Sequence, residues 1–127
     1  MKNFYEATVI KSKLTCRLKL TLTPIGSVNC VAQIGSKILY EKILTDTQTF
    51  ILDWPLTDPI ELSIQINRNH PDALMISLDI DNKEILPKYQ HLANPPTDYL
   101  DFNSVWVLKI SNFYPWYHEI TGQGWII

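Results

Sequence analysis

Strict alternation of apolar and polar side chains is the feature that most restricts how this chain can fold. In Leu14-Thr15-Cys16-Arg17-Leu18-Lys19-Leu20-Thr21-Leu22 every second residue is apolar. A period of two places those residues on one face of an extended strand, with the polar residues on the other. The same period returns in Val28-Cys30-Ala32-Ile34, in Ile60-Leu62-Ile64-Ile66 and in Leu74-Ile76-Leu78-Ile80. Four half-buried strands are therefore predicted. Gly35-Ser36 supplies a two-residue hairpin loop with glycine at its first central position, joining the second strand to Ile38–Leu44. Thr47–Asp53 forms a further strand, and Asp81-Asn82 turns Leu78-Asp79-Ile80 into Glu84-Ile85-Leu86.

Helical spacing is not sustained over any window of eleven residues, and eight prolines interrupt most candidate segments. Strands recurring every 8–12 residues, each with one apolar row, fit two packed antiparallel sheets, a β-sandwich in preference to a closed barrel. Residues 1–127 are read as a single all-β domain, with Pro87 to Asn103 as a long ordered loop. At 127 residues the chain can bury a core without disulfides. Cys16 and Cys30 share the register of neighbouring apolar residues, so both are expected to be reduced core thiols.

The net charge of −2 excludes the basic footprint of a general nucleic-acid binder. No segment approaches the roughly 18 apolar residues that would span a bilayer, and no export signal is visible, so neither nucleic acid nor membrane is an expected partner. None of His70, His91 and His118 falls in a recognised catalytic or zinc motif. His118-Glu119 is a poor acid/base pair, because adjacent residues of an extended chain face opposite ways. No enzyme activity and no cofactor are expected. Asn67, Asn69, Asp72, Asp79 and Asp81 offer oxygen ligands of the kind calcium prefers, yet such residues also make ordinary turns, and no metal is assigned.

Nine of the fourteen aromatic residues lie in the last 39 positions. Rings there either fill the ends of the sandwich or form a stacking surface for sugars or for another protein. Trp54, Trp116, Tyr117, Trp125 and Ile127 are the candidate partner-binding residues.

The order of elements over Asn67–Ile85, with Ile76-Ser77-Leu78-Asp79-Ile80-Asp81-Asn82, resembles small calcium-dependent, xylan-binding carbohydrate-binding modules, which are β-sandwiches. Leu78–Ile85, followed by Val105-Trp106-Val107-Leu108 and Phe113-Tyr114-Pro115-Trp116-Tyr117-His118-Glu119-Ile120-Thr121-Gly122-Gln123-Gly124-Trp125, resembles small β-domain proteins of tailed phages, cyanophages among them. The resemblances imply a jelly-roll or carbohydrate-binding-module-like sandwich. The second implies an accessory virion protein, made in host cytoplasm, that docks on other virion proteins as a decoration, tail or baseplate component within a larger assembly or homo-oligomer. Recognition of a surface polysaccharide is the alternative.

Overall fold

A computed structural model of the chain describes residues 15–55 and 58–110. Its strands are β1 (Thr15–Ile25), β2 (Val28–Ile34), β3 (Lys37–Leu44), β4 (Gln48–Pro55), β5 (Ile60–Arg68) and β6 (Ala73–Ile80), followed by β7 (Lys83–Glu84), β8 (Ala93–Asn94), β9 (Tyr99–Leu100) and β10 (Ser104–Ile110). They form two five-stranded antiparallel sheets. One has the order β4-β1-β6-β7, with β9 also on β6; the other has the order β3-β2-β5-β10-β8. The chain is thus the all-β sandwich that the alternation implies.

The period of two carries directly into burial. Cys16, Leu18, Leu20 and Leu22 of β1 meet Val28, Cys30, Ala32 and Ile34 of β2 and Ile60, Leu62, Ile64 and Ile66 of β5 in one apolar core. A one-residue slip would send each of these rows into water, so burial of one face pins the register. Gly35 has φ +56°, and Ile34 pairs with Lys37 across the expected two-residue turn. Asp81 and Asn82 both have positive φ, +50° and +67°, the pattern of a type I′ hairpin between Ile80 and Lys83.

Two stretches depart from the sequence reading. The strand expected at Glu84-Ile85-Leu86 stops at Glu84, because Ile85 and Leu86 turn inward and start a short helix α1 (Leu86–Tyr89) with proline in its first turn. The loop expected from Pro87 to Asn103 contains that helix, a 3₁₀ turn (Gln90–Leu92) and the short strands β8 and β9. Four residues of helix are too few for an amphipathic period to register in sequence.

Cys16 and Cys30 are buried free thiols. Burial, reinforced by Asp81 and Asp53, pushes the Cys16 thiol up to about 12, and burial alone pushes Cys30 up to about 11, from an ordinary value of 9.0. The folded state therefore holds these protons where the unfolded chain has released them. Their contribution to stability is complete below pH 9 and is lost as pH rises through about 11 to 12. The urea midpoint is expected to fall across that window, and less steeply in a Cys16→Ala/Cys30→Ala variant; equal slopes would contradict the assignment.

Candidate functional site

Of the residues singled out from sequence, Trp116, Tyr117, Trp125 and Ile127 lie outside the described residues. Trp54 belongs to the inward row of edge strand β4, where it, Phe50 and Leu52 are half-buried and pack against the core. Its indole Nε1 donates to the Asp58 carbonyl at 3.4 Å. Among the aromatics clustered late in the sequence, Trp106 and Tyr89 are core residues, whereas Tyr99 and Phe102 are 41% and 42% exposed. Trp106 and Tyr89 are thus the bland case, rings that fill the sandwich.

The oxygen-rich set from Asn67 to Asp81 is divided by β6. Asp72 precedes that strand and Asp81 follows it, a separation of roughly 25–30 Å at about 3.3 Å per residue. Each carboxylate also has its own work. Asp72 Oδ2 accepts the Ser27 N–H at 3.3 Å, Asp81 Oδ1 accepts the Arg17 N–H at 2.8 Å, and Asp79 pairs with Lys19 at 3.5 Å. Among the described residues, no three acidic, histidine or cysteine side chains gather as a metal site. The donor set that calcium would need is not assembled by this cluster.

What the fold does assemble lies at the end of the β3-β2-β5-β10-β8 sheet. Antiparallel pairing sets Ile43 of β3 opposite Asn29 of β2, and Asn29 opposite Asn67 of β5. Asn103, just before β10, continues this row, its Oδ1 accepting the Arg68 N–H at 2.9 Å. The next row on the same outward face, two residues along the strands, is Glu41, Val31, Gln65 and Val105, again across four strands. Asn29, Gln65 and Asn67 are exposed and make no side-chain hydrogen bond among the described residues.

Two open depressions meet on this surface at Asn67. One, of about 250 Å³, is lined by Ser27, Asn29, Ile43, Asn67, Arg68 and Asn69. The other, of about 270 Å³, is lined by Gln65, Ile66, Asn67, Asn103, Ser104 and Val105. Neither lining contains a carboxylate, histidine or thiol, so the surface offers hydrogen bonding without an acid/base pair. A third depression, of about 280 Å³ at the opposite end, is lined by Thr15, Cys16, Arg17, Asp53, Asp81 and Asn82. There Arg17 has Asp53 as its cross-strand partner and Asp81 on its backbone N–H, one cationic side chain beside two carboxylates.

Asn67 and Asn69 were visible in the sequence as oxygen donors, but Asn29, Gln65, Arg68 and Asn103 were not visible as members of one surface. Their only sequence signal is polar character at outward or terminal strand positions, which most surface residues share.

No protein-family model matches the chain, and no curated protein matches it in sequence. Among solved structures, the chain is similar to the selenomethionine form of vCBM60, described in connection with circular permutation between two families of calcium-dependent carbohydrate binding modules. The two are 12% identical, the match covers 75% of this chain and 91% of that chain, and the TM-score is 0.45. At that level of similarity no residue role and no ligand passes from one to the other.

Proposed function

We propose that this chain is a non-catalytic glycan-binding domain whose ligand lies across the Asn29–Asn67–Asn103 row and the adjoining depressions. The observation that supports this reading is Asn67, an unpartnered amide shared by two shallow hollows on one sheet surface. A side-chain amide presents both a carbonyl acceptor and NH₂ donors, matching the donor and acceptor of a sugar hydroxyl. Ile43, 60% exposed, and Val105, 50% exposed, add apolar contacts for the C–H face of a sugar ring at either side of the amides. An open surface of neutral amides suits an extended polymer better than a small enclosed reactant. The docking role implied by the resemblance to phage proteins rests on the C-terminal aromatic segment, which is outside the described residues.

Screening a panel of plant and bacterial polysaccharides by affinity electrophoresis, followed by calorimetry, tests the reading. An Asn67→Ala variant is expected to keep its fold and to bind about threefold to tenfold more weakly, the worth of one or two hydrogen bonds. Absence of binding across the panel, or unchanged affinity in Asn67→Ala, would overturn it.

A further inference from the structure

Arg68 ends β5 one step beyond the inward row Ile60, Leu62, Ile64 and Ile66, and it pairs in register with fully buried Val28. Its side chain therefore leaves the sandwich where the two layers open. Its Nε is buried with no hydrogen-bond partner among the described residues, and Arg68 lines the 250 Å³ depression with Ser27, Asn29, Ile43, Asn67 and Asn69. Among the described residues Arg68 makes no ion pair. Asp72, on the turn that borders the same hollow, directs Oδ2 to the Ser27 N–H instead.

A guanidinium without a counter-ion, partly withdrawn from water and surrounded by neutral donors, is an unfinished arrangement. Burying a polar N–H without a partner is costly, so the sealed Nε leaves the guanidinium under-satisfied, and its terminal NH₂ pair can meet a planar oxyanion with two parallel hydrogen bonds. We infer that the glycan taken by this surface carries an oxyanion, a uronate carboxylate or a sulfate ester, and that Arg68 receives it. This rests on the glycan-binding reading and adds a charge requirement to it. The neighbouring amides of Asn29, Asn67 and Asn69 supply N–H groups to the remaining anion oxygens and to the hydroxyls beside them.

The test is calorimetry of the full chain with three forms of one polysaccharide backbone: neutral, uronate-substituted and sulfated. At low salt one charged form is expected to bind about tenfold or more tightly than the neutral form, with the advantage shrinking at high salt. The form preferred distinguishes carboxylate from sulfate. Arg68→Gln is expected to lower binding of the charged form to the level of the neutral one, with its melting temperature recorded as a control on folding. Asn67→Asp, a change at an exposed position, removes the amide donor and places a like charge beside the anion, so it is expected to weaken the charged ligand by a larger factor than the neutral one.

Equal affinity for neutral and charged forms, or discrimination that survives both variants, would overturn the inference and leave the glycan reading standing. If Arg68→Gln fails to fold, salt-independent binding together with an Asn67→Asp variant that weakens neutral and charged forms by the same factor would overturn it. Binding of none of the three forms, nor of any other polysaccharide, would overturn both.

Discussion

Replacing Trp106 by alanine is expected to destabilise the fold by about 3–5 kcal/mol, a large share of the roughly 5–15 kcal/mol typical of a domain. Trp106 is 0% exposed, lies opposite Ile64 in the β5–β10 pair, and is among the largest fully buried side chains. Its indole Nε1 donates to the Thr97 carbonyl at 2.7 Å. That bond ties β10 to the connection between β8 and β9, and the neighbouring Asp98 carbonyl in turn accepts the Ile76 N–H of β6 at 2.8 Å. One side chain therefore fills the core and fastens a loop that bridges the two sheets. Trp106→Phe keeps most of the volume and removes the donor, so it is expected to cost about 1–3 kcal/mol, mostly through the stranded carbonyl. Urea unfolding of both variants measures this. A loss below about 1 kcal/mol in Trp106→Ala would mean that the site collapses around the missing ring and that the packing described is wrong.

Gly26→Ala is expected to cost about 2–4 kcal/mol, an unusual penalty for adding one methyl group at an exposed turn. Gly26 has φ +86°, where an L side chain is strained, and a Cβ there would collide with the Asp72 carboxylate. Moving Asp72 away breaks its bond to the Ser27 N–H, so strain and loss of a charge-assisted hydrogen bond act together. A double-mutant cycle separates them. With Asp72→Ala already present, Gly26→Ala should cost only the backbone term of about 1–2 kcal/mol. Strict additivity of the two changes would show that the carboxylate does not occupy the space above Gly26. Because Ser27 lines the hollow that holds Arg68, Gly26→Ala is also expected to weaken the glycan binding proposed for that surface.

The extent to which each element was readable from sequence follows from how local its cause is. β1, β2, β5 and β6 announce themselves by alternation, and Gly35 and Asp81-Asn82 by the turn residues they require. Helix α1 did not, since its four residues form where Ile85 and Leu86 become buried, an event dictated by the core beneath them. Aromatic clustering in sequence said nothing of exposure. Trp106 occupies an inward position of β10 and Tyr99 an outward position of β9, and parity within a strand, unlike aromatic character, decides which ring meets water. The carboxylates that looked like a cation cluster were separated by the length of a strand, which sequence proximity conceals.

Side-chain alternation was enough to settle that this chain makes two-faced strands, because the pleat sends successive side chains to opposite sides whatever the neighbouring strands are. It also placed the apolar rows of β1, β2, β5 and β6 in the core, with Cys16 and Cys30 among them. The strand order β3-β2-β5-β10 was decided only by tertiary packing, since pairing depends on contacts between residues far apart in the chain and on the turns that align them. That order carries Asn29, Asn67 and Asn103 into a single row and leaves Arg68 at the open end of the sandwich with no counter-ion among the described residues, a juxtaposition that no one-dimensional pattern encodes.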